Sequence, residues 1–202
     1  MSVKNQKKNG ADKRNLILQA AIEKFIDKDF YIVKMEEIAE AAGVGKGTIY
    51  EYFSSKEELF IDSFSFWIEK YELIFLENYT PSASVKESLF RIMKIHRSFF
   101  EENSHWVKFV FIEKPSFIHK LDILMAERRK RQLQGIESLL FLGIEQGEIR
   151  KDIDIDITAN IFLTISFVMI GEMLVMDGVQ ADIKRIEKMF DFFWRGVANE
   201  NN

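Results

Sequence analysis

Two prolines in 202 residues leave this chain few places to break a helix. Proline removes a backbone donor and clashes inside helices, and glycine, the next strongest interrupter, occurs only ten times. Turn-rich sandwiches and barrels are therefore excluded, and long uninterrupted helices are expected. Apolar residues recur at helical spacing through nearly every segment, beginning with Leu16, Ile17, Ala20, Ala21 and Phe25. No convincing strand and no repeat of 20–50 residues is found. The expected fold is all-α, with about nine helices.

Local signals set the boundaries. Asp12 is placed to cap a helix over 12–28. Residues 35–42 read as a short helix stopped by Gly43, and 46–53 as another. Ser55-Lys56-Glu57-Glu58 has the Ser-x-x-Glu spacing of a capping box and opens a helix to about Leu76. The stretch 78–83, with Pro81, is the clearest break; Ser84 and Glu87 then form a second box for a helix to about Glu102. Ser104 opens a short helix that Pro115 ends, and Ser116 a long one to Gln146 with Gly147 as its stop. The last two helices are expected at about 155–177 and 181–197, on either side of Asp177-Gly178.

Composition narrows the function. A hydrophobic share of 47% excludes wholesale disorder. The absence of cysteine excludes disulfides, thiolate zinc sites and thiol catalysis. The net charge of −4 argues against a protein that coats nucleic acid, but the charge is unevenly spread. Residues 1–14 hold five basic groups against Asp12 alone, while residues 56–202 hold 19 basic and 24 acidic groups. The start MSVKNQKKNG lacks an apolar stretch, so a cytoplasmic location is expected. Ile157 to Met176 is mostly apolar, yet it carries Asn160, Thr164, Ser166 and Glu172, which reads as a buried helix and not a membrane span.

The informative stretch is 35–60, MEEIAEAAGVGKGTIYEYFSSKEELF. A short helix buries Met35, Ile38, Ala39 and Ala42, a Gly43-Val44-Gly45 turn follows, and a second helix buries Ile49 and Phe53. Two short helices joined by a glycine turn make a helix-turn-helix, whose second helix enters the major groove of DNA. Lys46 and Thr48 suit base edges and phosphates, and Tyr50 and Tyr52 suit phosphates. Lys56 sits in the first turn of the next helix, where backbone N–H groups also favour a phosphate.

Over about residues 14–60 the sequence resembles the TetR (tetracycline-repressor) family of bacterial transcription regulators. The resemblance is carried by Arg14, Ile17-Leu18, Ala20-Ala21, Phe25, Ile38-Ala39, Ala42-Gly43-Val44, Lys46-Gly47-Thr48-Ile49-Tyr50, Tyr52-Phe53 and Ser55-Lys56-Glu57-Glu58-Leu59. It implies a homodimeric regulator, expected to be a repressor. A DNA-binding head on residues 1–55 would join a ligand-binding and dimerisation body on 56–202. It also implies that DNA contacts fall on Lys34, Lys46, Gly47, Thr48, Tyr50, Tyr52 and Lys56. Three positions depart from the family pattern. Lys34 stands where a capping Thr is usual, Gly45 where Ser is common, and Asp29 where Gly usually ends the first helix. The basic residues Lys4, Lys7 and Lys8 are either a DNA-contacting arm or a solubilising tail. The expected partners are double-stranded operator DNA, a hydrophobic small-molecule effector and a second copy of the chain. The alternative is a ligand carrier or scaffold on the same fold that has lost its operator.

Aromatics on successive body helices read mainly as core, yet their number also suits the wall of an apolar pocket. Candidate lining residues are Trp67, Tyr71, Phe100, Trp106, Phe109 and Phe162, with His96, Arg97, Glu113, Arg128 and Glu172 as candidate polar groups. A buried acid would select a cationic ligand; Arg97 or Arg128 would select an acidic one. In the last helix Ile186, Phe190, Phe193 and Val197 repeat at heptad-like spacing. With Phe167 and Gly171 of the preceding helix they are the expected dimer seam. No enzyme is expected. Gly43 to Gly47 fails as a phosphate-binding loop, because Glu40 holds the first glycine position and Gly47 follows the lysine where Ser or Thr is needed. His96, His105 and His119 have no metal-ligand spacing, so neither metal nor cofactor is expected.

Overall fold

The computed structural model describes residues 3–78, 84–103, 106, 110, 116–175 and 183–199, with side chains for 12–73, 84–103, 106, 110, 116–167 and 183–199. Eight α-helices lie among them: α1 (Val3–Asp27), α2 (Met35–Ala41), α3 (Lys46–Tyr52), α4 (Lys56–Asn78), α5 (Val85–Glu102), α6 (Asp122–Glu145), α7 (Ile155–Val175) and α8 (Ile183–Val197). A 3-10 segment, Ser116–Leu121, precedes α6. The expected short helix after Ser104 lies outside the described residues. The chain forms two compact units, residues 1–70 with 115–121, and residues 71–114 with 122–202.

In the first unit α1 buries Ile17, Leu18, Ala20, Ala21 and Phe25. It starts at Val3 rather than at the expected Asp12 cap; Lys4, Gln6, Lys7, Lys8 and Ala11 are good helix formers that offset Asn5, Asn9 and Gly10. The basic segment is thus helical and not an irregular tail, and Asp12 lies inside α1. At the end of α2, Gly43 takes φ +66, Gly43 N–H reaches Glu40 O and Val44 N–H reaches Ala39 O. This double closure is the left-handed stop that glycine accommodates without a Cβ penalty. Phe53 is extended and buried, and Ser55 caps the next helix by accepting from Glu58 N–H at 3.1 Å. The returning Glu58 carboxylate goes to Ser54 N–H at 2.7 Å, one residue before the expected position. Phe25, Phe30, Phe60 and Phe117 form one ring cluster with centroids 4.9–5.7 Å apart. Phe117, although it lies far along the chain, therefore belongs to the core of this unit.

In the second unit α5 packs against α6, α7 and α8, and α7 packs against α6 and α8. Ser84 caps α5 by accepting from Glu87 N–H at 3.1 Å, as the sequence predicts. Gly147 ends the α6 region at φ +78. Ser116 does not open α6 directly; six residues of tighter 3-10 helix come first, a usual form at helix starts. Asp154 caps α7 through Ile157 N–H at 3.0 Å.

The heptad seam of α8 points inward. Ile186, Phe190, Phe193 and Val197 are buried in the chain's own core, with Phe190 against Phe90 at 4.9 Å and Phe193 against Phe162 at 5.3 Å. A helix with one strong apolar stripe buries that stripe in its own domain first, which is why the expected inter-subunit seam is internal. Phe167 is half-buried, 5.2 Å from the His96 ring. Among the described residues, no helix is long and apolar enough to cross a membrane.

Candidate functional site

The face presented by α2, the turn and α3 follows from what each helix buries. Ile49 is fully buried and Phe53 nearly so, which turns Lys46, Gly47 and Tyr50 to solvent, with Thr48 and Tyr52 half-buried. Tyr50 is 47% exposed, large for an aromatic ring, so its hydroxyl is available. A Cβ at Gly47 would meet nothing within 4 Å, so the α3 backbone lies open there. Lys34 precedes α2 with no side-chain cap, and Gly45 precedes α3 likewise; both losses are those expected from the departures at these positions.

Two lysines have partners that sequence did not show. Lys46 pairs with Glu36 at 2.5 Å, joining the start of α3 to the first turn of α2. Each charge stabilises the other, so the hydrogen bond holds the Glu36 carboxyl below its ordinary range and raises Lys46. Lys56 turns back on the α1–α2 loop. Its Nζ donates to Val33 O at 3.0 Å and Tyr31 O at 3.4 Å and lies 4.6 Å over the Phe30 ring. It clamps the loop that carries Lys34, whereas sequence reading gave it a phosphate. Arg14 is also structural, bonded to Asp62 at 2.6 Å and 5.3 Å over the Phe53 ring.

The second unit holds a buried polar cluster. Tyr71 stacks on His96 at 5.8 Å, touches Phe99 at 4.1 Å, and carries the Arg128 guanidinium 4.3 Å over its ring. The Gln132 side chain meets the Tyr71 hydroxyl. His96 is fully buried; desolvation, with Arg128 adding, pushes its pKa down to about 3. Burial raises the Tyr71 phenol and lowers Arg128.

The expected pocket residues are thus only partly gathered. Tyr71, His96, Phe100 and Arg128 share this cluster, and Phe167, expected at a dimer seam, joins it. Trp67 belongs to the other unit, against Phe64 at 5.4 Å. Arg97 is half-buried and paired with Glu101 at 3.1 Å. Trp106 and Phe162 are buried core residues. Phe109 and Glu113 lie outside the described residues, as does the side chain of Glu172, and for Gly171 only its place in α7 is described.

Residues 17–62 match the model of the family described as bacterial regulatory proteins, tetR family. Over these residues the chain is similar to the TetR family of transcriptional regulators. The HTH-type transcriptional regulator YhgD of Bacillus subtilis (strain 168), itself uncharacterized, is 28% identical over 161 residues, 79% of this chain and 83% of its own. A TetR-family regulator from Mesorhizobium loti MAFF303099 shares the fold with TM-score 0.78 at 22% identity, covering 93% of this chain and 95% of its own. The regulator FadR from Bacillus subtilis, solved with stearoyl-CoA, matches with TM-score 0.69 at 21% identity, covering 90% of this chain and 97% of its own.

The matched region covers the second half of α1, then α2, the turn, α3 and the start of α4, where the outward face was found. The body residues that sequence reasoning missed are Gln132 and Glu72. Gln132 had a readable signal, since it falls four residues after Arg128 on the same helix. Glu72 had none, because it is one of many acids on α4.

Proposed function

We propose that this protein is a ligand-responsive repressor that binds a palindromic operator as a homodimer in the cytoplasm. The carrying observation is the outward face of the helix-turn-helix. Lys46, Gly47 and Tyr50 are exposed while Ile49 and Phe53 anchor α3. Two such helices, one per subunit, would enter successive major grooves about 34–36 Å apart. Lys34, Thr48 and Tyr52 flank that face and would fix its register on phosphates.

The second copy would meet the outer face of α7. Ile157 and Ile161 are 56% and 47% exposed, and with Asp156, Asn160, Thr164 and Ile165 they line a shallow groove. Phe192 of α8 is 84% exposed, which a large ring rarely is without a partner. Supporting a hydrophobic effector are the aromatic cluster of the body and stearoyl-CoA held by a relative of the same fold. An effector acts by binding one head spacing better than the other, and its effect is bounded by that difference.

The test is a mobility-shift titration of the full chain on the DNA upstream of its own gene, repeated at rising salt. Salt-dependent, sequence-selective retention at a two-fold symmetric site is expected. Retention equal to that of random duplex would overturn the reading and favour a carrier on the same fold.

A further inference from the structure

We propose that Arg128 is the head-group subsite of the effector site, and that the effector is an apolar molecule ending in a carboxylate. The proposal rests on the effector-responsive reading above and names its ligand class. Arg128 is only 2% exposed. A guanidinium keeps its charge in proteins, so a buried arginine needs a counter-charge and hydrogen-bond acceptors.

The structure supplies too few of both. Glu72 Oε1 lies 3.9 Å from Arg128 Nε, beyond hydrogen-bond reach. The same carboxylate is gripped by Arg131, whose Nη2 donates to both oxygens at 2.9 and 3.0 Å. Two guanidinium groups thus face one carboxylate. Arg128 Nε and Nη2 have no hydrogen-bond acceptor among the described residues. The Tyr71 ring under the guanidinium offers a favourable face but no counter-charge. His96, held neutral by burial beside Arg128, adds none.

An anion supplies both missing things. The planar fork of arginine matches two carboxylate oxygens. The Tyr71 ring under the charge continues into the Phe99, Phe100 and Phe167 rings, an apolar run that suits an aliphatic tail. A cationic head would be repelled by a guanidinium that shares one carboxylate with Arg131, and an alcohol would add no negative charge.

The experiment uses the full-length protein and four probes with one tail: dodecanoate, dodecanol, dodecyltrimethylammonium and dodecanoyl-coenzyme A. Binding is read by calorimetry and by tryptophan fluorescence. Dodecanoate should bind about tenfold to a hundredfold more tightly than dodecanol, the range expected for hydrogen bonds to a charged group. The cation should bind most weakly. R128Q should erase the preference of dodecanoate over dodecanol, and R128K should keep part of it. Equal affinities for dodecanoate and dodecanol, or a preference undiminished in R128Q, would overturn the proposal. So would binding of dodecanoyl-coenzyme A without binding of dodecanoate. If R128Q fails to fold, the wild-type ranking and R128K decide. Operator retention is scored separately. Retained DNA binding without a carboxylate preference rejects the subsite alone. A preference lost in R128Q, in a protein that binds no operator, rejects the regulator reading alone.

Discussion

Lys46 and Glu36 form a 2.5 Å ion pair across the glycine turn, so the lysine at the start of the recognition helix is held by its own protein. Both side chains are largely exposed, so the pair adds little to stability and is weakened by salt. Its consequence is for DNA. If Lys46 meets a phosphate as proposed, Glu36 would compete for it, and its charge lies beside the exposed face.

Glu36→Gln should therefore tighten operator binding by a few-fold, since the competing pair is a weak surface one. Lys46→Ala should weaken it and lower the salt slope by about one unit. Both are read from mobility shifts over a range of salt. An unchanged slope in Lys46→Ala would mean that this lysine never reaches a phosphate.

A second prediction concerns Glu148, whose carboxylate accepts from Val85 N–H at 2.9 Å and Lys86 N–H at 3.2 Å. It thus satisfies the orphan donors of the α5 N-terminus from 62 and 63 residues away in the chain. Asn199 N–H bonds its carbonyl at 2.9 Å, which ties the chain end to the same turn. Glu148→Ala should cost about 1–2 kcal/mol, the usual range for a lost cap with its charge at a helix N-terminus. A urea midpoint that stays in place would refute the cap.

These residues show what could be read from the chain and what could not. Caps and stops at Ser55, Ser84, Gly43 and Gly147 were legible because each acts on its own helix within a few residues. The roles of residues 148–150 had no local signal, because they are tertiary. Glu148 caps α5, Ile149 fills the space beside Gly143, and Arg150 N–H bonds Val197 O at 3.0 Å. Likewise Lys56 was expected on a phosphate, since nothing local reveals the carbonyls of Tyr31 and Val33 above it. Spacing identified the α8 stripe correctly but not what covers it.

The third prediction is a pH dependence. His96 has a folded pKa of about 3, lowered from 6.5 by burial. Between those values the unfolded chain binds a proton that the folded chain does not, so stability falls as pH falls through that window. The His96 contribution should approach about 1.4 kcal/mol per pH unit in the middle of the range. His96→Phe keeps a ring against Tyr71 and Phe167 and should flatten this slope. Unfolding free energies at pH 4, 5, 6 and 7 for both proteins decide it. Parallel curves would show that His96 titrates normally in the fold.

The last prediction separates folding from assembly. Phe193 is buried against Phe162 at 5.3 Å, so Phe193→Glu places a carboxylate in the core of the subunit itself. It should lower stability by several kcal/mol, the order seen when a buried ring is lost and a charge is left unpaired. Monomers formed by that variant would therefore say nothing about the interface. Ile161 is a cleaner probe, being exposed in the single chain and part of the α7 groove. Ile161→Glu should leave the unfolding midpoint of a dilute sample nearly unchanged, because the side chain is not part of the subunit core. It should nevertheless convert dimers to monomers in light scattering. Operator affinity should fall with it, since two half-sites must then be occupied by separate molecules. An Ile161→Glu protein still dimeric at micromolar concentration would move the interface off the α7 groove, with exposed Phe192 the next residue to substitute.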